Sequence, residues 1–587
     1  MDNGGRVRAG SVMERVEVRE PLRFGIILPA GERVRAWHAD AIRQVLNIEH
    51  AQPAIIVRAR GSKRTVSTRI ATMASTLLPH SRLERLTNLP QELSAVPSIE
   101  RAAGDISLED IARVAVDFVL CFDEDVAWDR LTSAARFGLW RFRVRAATES
   151  RCAPLLELAL EKIAAPGCSP VPLRSGCVSV VRHSWTATHD QAFREMARWP
   201  AQVCRDIRND VAELLTETVQ PITARVDRTR PAKTEILHRL LVPWHAARYL
   251  FDRLFVQQTW GIGVVPEPIS RFLEAPDRPI QWLRGSSSPY RYLADPFCID
   301  DPRSPDGFWL LCEEYDSRTI GHGRLVHAVV QSGSITQTFP LPEIDPGIHV
   351  AYPYLIQHEG EIFCIPETAE AGGIDLYRAA GSPRRWTKVR RLIDAFPGVD
   401  STAFQHDGRW WMATCSADDG PYHSLFLFYA DALIGPWHPH AANPVKCDVR
   451  SARPAGTPFL QDGRLYRPAQ DCSLRYGGSV SINLVEKLTA TQFRETVVAK
   501  VTPSAAGPFP HGLHTLSEAG GYTLVDGRRE FFDPLKQIRK QVLRRMGRSP
   551  SDRHKVKADL LTDTLPVPAG YTPSSPKLAT APPAASK

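Results

Sequence analysis

A recurrence in the second half of the chain constrains its fold more than any other feature. The unit is an acidic or small residue, then glycine, then a run rich in aromatics. It reads DGFWLLCEE from Asp306, EGEIFCIPE from Glu359, DGRWWMATCS from Asp407, DGRLYRPAQD from Asp462 and, more weakly, GGYTLVDG from Gly520. The starts lie 53, 48, 55 and 58 residues apart. Asp-Gly ahead of an aromatic or β-branched run is a tight hairpin turn feeding a strand. A period near 50 residues with several strands per unit predicts propeller blades, and five copies predict five blades.

The copies also match in the polar residues they offer. Ahead of each hairpin stands a polar residue opening a strand: Asp295, Tyr352, Asp400, Arg453 and His511. Seven residues after the glycine come Glu314, Glu367, Cys415 and Gln470. Innermost propeller strands run along a central channel, so matched positions are predicted to converge there. Burying several charges without partners costs several kcal/mol each, so such a ring needs either internal pairing or a polar ligand rich in hydroxyls. Paired carboxylates are also the equipment for glycoside chemistry. Asp295 is the candidate base or nucleophile, Glu367 or Glu314 the acid, and Asp400 a tuning or binding group. Tyr352, Arg453, Gln470, His511 and His514 complete the candidate substrate-binding set. The same residues can bind a sugar without turnover. Trp410, Trp411 and Trp437 fit either blade cores or sugar stacking, and His349 either the channel or a turn. Arg467 and Asp471 are read as an internal ion pair. His511 and His514 stand three apart, but no carboxylate or cysteine joins them at zinc spacing, so no metal is expected, nor any cofactor.

The first half has a different grammar. Phe24–Leu28 and Pro53–Val57 read as strands flanking a helical run from Val34 to Ile48, and a helix at Leu108–Ala115 precedes a strand at Val116–Phe122. This alternation predicts an open α/β sheet. The turn PAGERV after Leu28 has no phosphate-cradling glycines. From Trp185 to about Gln258 apolar residues recur at helical spacing. The fold class is thus an α/β N-terminal domain with an open sheet plus a helical connector, followed by an all-β five-bladed β-propeller. The expected bounds are a disordered lead at 1–20, the α/β domain at 21–225, the connector at 226–259 and the propeller at 260–530. A basic amphipathic helix follows at 531–548, then a Pro-, Ala- and Ser-rich disordered tail at 549–587.

Composition is that of an ordinary globular protein: 43% hydrophobic and 24% charged, with a net charge of +8. The modest excess, much of it in one C-terminal stretch, gives no case for a nucleic-acid partner. The 11 cysteines show no C-x-x-C spacing. With no apolar leader and no 18-residue apolar stretch, this predicts a cytoplasmic, reducing setting. Leu535, Ile538, Val542 and Met546 share one face of the basic helix, which predicts either a solvated surface helix or peripheral contact with a membrane.

The motifs LADPF, HVAYPYLIQHEGEIFCIPET, LYRAAGSPRRW, VDSTAFQHDGRWWM, GRLYRPAQDCSLRYGG and PHGLHTL resemble the N-terminal domain of plant glucosamine inositolphosphorylceramide transferases and its bacterial relatives. That module is similar in turn to the five-bladed propellers of glycoside hydrolase family 43. The resemblance implies a general base at Asp295 and a pKa-tuning role at Asp400. The family's acidic Glu motif is not cleanly present, and the separate transferase domain of the plant enzymes has no counterpart here. RFGIILPAGERVRAWHADAIRQVL and SAARFGLWRFRV resemble a formyltransferase-like domain. After Gly138 the sequence LWRFRVRAATES lacks the His and Asp that activity needs, which implies an inactive domain without folate. Together these features imply a carbohydrate-active protein handling a glycan or glycolipid in the channel, as transferase or hydrolase, in bacterial surface or exported-glycan synthesis. The alternative is a non-catalytic scaffold that binds a glycan or protein.

Overall fold

The computed structural model describes residues 20–60, 81–123, 126, 131, 135–147, 155–163, 170–209, 231–285, 288–301, 308–318 and 322–545. The lead before Glu20, the Asp306 turn, Met546 and the tail at 549–587 lie outside the described residues.

The first half is a mixed open sheet. Leu22–Pro29 lies parallel between Ala51–Arg60 and Phe118–Cys121; Ser98–Ala102 and Leu139–Ala147 extend it in parallel. Leu155–Ile163 and Val171–Ser179 then add antiparallel strands. The central strands are apolar on both faces, as burial on both sides demands. One face packs on the helices Ala36–Leu46 and Trp185–Arg208, where Trp37 stacks on Phe193 at 5.1 Å. The other face carries Ile27, Val57, Ile106 and Ile111.

The second half is propeller-like. Four antiparallel four-stranded sheets stand apart from one another. The first runs Arg291–Asp300, Phe308–Asp316, Gly323–Gln331, Ser334–Pro340, and the second Ala351–His358, Glu361–Glu367, Ile374–Ala379, Trp386–Ile393. Another, called here the fourth, runs Phe459–Gln461, Arg464–Asp471, Ser479–Leu488, Phe493–Val501. The closing sheet joins Leu516–Ala519 and Tyr522–Phe532 to Val256–Val265 and Gln281–Trp282, so segments from the two ends of this half meet in one sheet. Between the second and fourth sheets lies a meander of Gly398–His406, Arg409–Ser416 and Ser424–Ala430.

The repeated dipeptides are the hairpin turns the sequence predicts. Glu359-Gly360, Asp407-Gly408 and Asp462-Gly463 hold both residues at positive φ, 49° to 52° for the acids and 71° to 77° for the glycines. That pairing matches the twist of the flanking strands. Trp410 and Trp411 are buried packing residues. The helical run ends at Phe255, and Val256–Gln258, read from sequence as connector, are already strand because they pair with Glu530–Phe532.

The two halves share a sheet. Lys446–Asp448 pairs with Ser424 and Leu425 on one side and with Gly176 and Cys177 on the other. A Cβ at Gly176 would lie 2.9 Å from Cys447 Sγ, so only glycine lets the strands approach. Glu195 of the long helix accepts from Ser424 Oγ at 3.0 Å, and Arg198 pairs with Asp419.

Candidate functional site

The site is built by one backbone device used three times. In the first strands of the first sheet, the second sheet and the meander, the ladder skips two residues. These are Asp295-Pro296, Tyr352-Pro353 and Asp400-Ser401. Asp295, Tyr352 and Asp400 take φ of 49°, 46° and 50°. Such a conformation costs a non-glycine residue about 1–3 kcal/mol and persists only where the surroundings enforce it. Each bulge re-aims a side chain towards the place where the first strands pack on one another.

Two coupled clusters result. In one, Asp400 accepts from Arg453 Nε at 2.6 Å and Nη2 at 3.2 Å, and from Gln470 Nε2 at 2.6 Å. Glu367 lies against it: its Oε2 accepts from the Asp400 backbone N–H at 3.2 Å and sits 3.7 Å from Arg453 Nη2. In the other, Asp295 accepts from Thr515 Oγ1 at 3.0 Å and from the Tyr352 N–H at 3.3 Å. Asp526 accepts from the N–H groups of His514 and Thr515 at 2.9 and 3.0 Å and from that of Asp295 at 3.2 Å. His514 Nδ1 stands 2.5 Å from Asp526 and 3.6 Å from Asp295.

Among the described residues these four carboxylates thus share two cations, and the proton affinities of Asp295, Glu367 and Asp526 are shifted in different directions. Burial, reinforced by Asp526 and Asp400, lifts Asp295 to about 6 against the pull of His514. Burial and Asp400 hold Glu367 well above the usual carboxylate range, although Arg453 opposes them. Burial alone would lower His514, yet Asp526 and Asp295 raise it to about 9, so it is an imidazolium at neutral pH. Asp526 is held low, because His514 outweighs its burial. A group poised near neutrality together with a carboxyl of raised proton affinity has the makings of an acid–base couple. Ligand atoms of Asp295, His514 and Asp526 all lie within 4.8 Å of one another, a spacing that could hold a cation; the imidazolium already supplies positive charge there.

Aromatic rings bridge the clusters. Tyr476 lies 4.9 Å from the Arg453 guanidinium and 5.3 Å from the His514 ring, and Trp260 stacks on His514 at 4.1 Å. Tyr422 sits 5.5 Å from Arg453. Tyr476 and Tyr422 are half-buried, whereas the groups beneath them are buried.

Asp295, Asp400, Glu367, Arg453, Gln470 and His514 are therefore brought together. Glu314 is not. Counting from the glycine puts it level with Glu367, but the strand register places Glu313 opposite Ala294, as Glu367 is opposite Ala351. One residue of slip turns a side chain to the other face. Glu314 is instead clamped by Arg291 and Arg324, each at 2.5 Å. Tyr352 is fully buried, its hydroxyl bonded to Thr402 Oγ1 at 2.9 Å and to the Gly456 N–H at 2.7 Å, so it braces the strands rather than meeting a ligand. His511 accepts the Glu530 N–H at 3.0 Å, and His349 accepts that of Gly323 at 2.9 Å. Arg467 does not pair with Asp471: it pairs with Glu495 at 2.6 Å, and Asp471 with Lys500 at 2.6 Å. Both reach across neighbouring strands, where a partner cannot be read from spacing. Sequence reasoning missed Asp526, Thr515, Tyr476 and Trp260. Asp526 was visible only as the Asp-Gly closing GGYTLVDG, which looks like a turn but lies inside the strand Tyr522–Phe532.

Residues 281–507 match the family model described as glucosamine inositolphosphorylceramide transferase 1, N-terminal. The propeller half resembles that module. Glucosamine inositolphosphorylceramide transferase 1 of Oryza sativa subsp. japonica is 34% identical over 218 residues, 36% of this chain and 28% of the relative. The Arabidopsis thaliana protein of that name is 31% identical over 224 residues, with the same shares. The chain thus spans less than a third of these relatives, which are plant proteins and give the bacterial setting no support. Among solved structures, the family 117 glycoside hydrolase Zg3597 of Zobellia galactanivorans overlaps 48% of this chain and 91% of its own, with 13% identity and a TM-score of 0.30. A thermostable family-43 glycoside hydrolase overlaps 43% and 89%, with 13% identity and a TM-score of 0.31. The module matched by the family model includes Asp295, Glu367, Asp400, Arg453 and Gln470, whereas His514, Thr515 and Asp526 come from the chain beyond it.

Proposed function

We propose that the channel handles one glycosyl unit of a glycan or glycolipid, with Asp295 as general base or nucleophile and Glu367 as the acid. Asp400, fixed by Arg453 and Gln470, raises the proton affinity of Glu367; His514 and Thr515 orient Asp295. Tyr476 and Tyr422 offer rings for a sugar face. The observation that carries this reading is the splitting of proton affinities between Asp295 and Glu367 around one Arg453–Asp400 pair. The names of the plant relatives support a sugar-transfer context. Counting the meander as a blade gives the five-bladed propeller. The parallel core of the N-terminal sheet is compatible with a formyltransferase-like domain, and the nine free thiols among the described residues support a reducing, cytoplasmic setting.

The test is a glycan array on the purified chain, followed by turnover of the glycans retained. Asp295→Asn and Glu367→Gln are expected to keep binding and to lose turnover by about 10²-fold or more. Wild-type activity should rise as pH passes about 6 and fall once Glu367 ionises. The deep burial of the carboxylates favours the second reading, a glycan-binding scaffold; binding without turnover by the wild type would establish it. Unchanged binding and turnover in Asp295→Asn would remove the site altogether.

A further inference from the structure

The C-terminal helix Lys536–Arg545 is packed the wrong way round for a soluble surface helix. Its polar side holds it to the protein: Lys536 Nζ donates to the Val256 carbonyl and Gln537 Nε2 to that of Arg253, while Arg539 pairs with Asp533 and lies 4.3 Å from the Tyr290 ring centre. Its apolar side faces out, with Ile538 58% exposed and Leu535 and Val542 about as open. An amphipathic helix ordinarily buries that stripe against a core.

The exposed stripe continues onto a second helix, Pro231–Phe255. Leu241, Trp244, Phe251 and Phe255 fall at i, i+3, i+10 and i+14, one face of a helix. Trp244 is 67% exposed, and Phe251 stacks at 6.1 Å on Phe532, itself 62% exposed. Phe532 leads directly into Leu535. Two helices therefore present one apolar ridge, extending about 20 Å along the longer of them. Basic residues accompany it in the sequence: Lys536, Arg539, Lys540, Arg544 and Arg545 lie in the C-terminal helix with no acid among them.

We propose that this two-helix ridge docks the protein on an anionic bilayer surface. Trp244, Phe251, Phe532, Leu535, Ile538 and Val542 enter the interface, and the net positive charge of the C-terminal helix, whose sequence holds no acid, draws it to anionic headgroups. Charge selects this occupant. A second copy of the chain would bring its own basic helix against this one, whereas an anionic surface neutralises it. The ridge lies flat on the membrane, since no helix among the described residues is long and apolar enough to cross one. The inference is independent of any chemistry in the channel.

Flotation of the full chain with phosphatidylcholine vesicles, with and without phosphatidylglycerol, tests it. The protein is expected to float with the anionic vesicles only, and less so at high salt. The triple variant Trp244→Ser, Phe532→Ser, Ile538→Ser should lose the partition by about tenfold or more. Because all three side chains are exposed, its melting temperature should stay that of the wild type. Leu460→Ser, an exposed apolar residue on the fourth sheet, should change nothing. Absence of flotation, equal flotation with neutral vesicles, or flotation of the triple variant at wild-type level would overturn the proposal. So would a concentration-dependent dimer that the triple variant abolishes.

Discussion

Two kinds of buried carboxylate sit side by side in the propeller half. Away from the first-strand cluster, three of them have two cations to themselves. Glu495 is held by Arg467 and Lys446, Glu314 by Arg291 and Arg324, and Asp375 by Lys388 and Arg391. Burial alone would raise Glu495 and Asp375, but their paired cations outweigh it and hold both low. Where the first strands meet, the ratio inverts: among the described residues, Asp295, Asp526, Asp400 and Glu367 share Arg453 and His514. Asp295 and Glu367 are then pushed up rather than down. Burial is common to both sets, so burial does not mark a site. The shortage of counter-charge does, because it leaves protons in play.

The sharpest way to break this contrast is to neutralise one acid of each kind. Glu495→Gln leaves Arg467 and Lys446 buried without an anion and should cost about 3–5 kcal/mol. In a chain of this size that is a fall in melting temperature on the order of 10 °C. Glu367→Gln replaces a carboxyl whose charged form burial and Asp400 already disfavour, so its loss in melting temperature should be well below that of Glu495→Gln. Equal losses in the two variants would show that the channel acids are ordinary structural ion pairs.

The second test uses pH. Asp295 binds its proton more tightly folded than unfolded, so its contribution is present at low pH and is lost as pH climbs through about 6. Between about pH 4 and pH 8, Asp295→Asn should gain on the order of 3 kcal/mol relative to the wild type. His514 is also raised, to about 9, so its contribution is complete below about 6.5 and disappears as pH rises through 9. His514→Gln should flatten that alkaline limb. Thermal melting across this range reads both, and a wild-type profile indifferent to either substitution would separate the channel from proton chemistry.

How much of this the sequence disclosed follows from the range of each interaction. Hairpin turns are local, so Asp-Gly followed by aromatics located them and gave the propeller-like half. The matched residues Asp295 and Asp400 were legible because each opens the strand before such a hairpin. Glu367 was legible by its distance after the glycine. The same count misassigned Glu314, because the residue paired with the first strand comes six places after the glycine in the first sheet, at Glu313, and seven in the second, at Glu367. Asp526 and the partner of Arg467 were not legible at all. Both are fixed by strands that come together only when the sheets close.

The smallest expected effect tests the two-cation rule itself. Arg291→Ala removes one of the two guanidiniums on Glu314, but Arg324 remains at 2.5 Å and Arg291 is 44% exposed. Water screens the partner that is lost, so the cost should be about 0.5–1 kcal/mol. Adding Arg324→Ala leaves Glu314 buried without a cation, and the double variant should lose more than the sum of the single ones. A strictly additive pair would mean that each guanidinium acts independently of the other. The counting of cations per carboxylate would then have no energetic content, and the contrast between scaffold and channel would have to rest on the pH profiles alone.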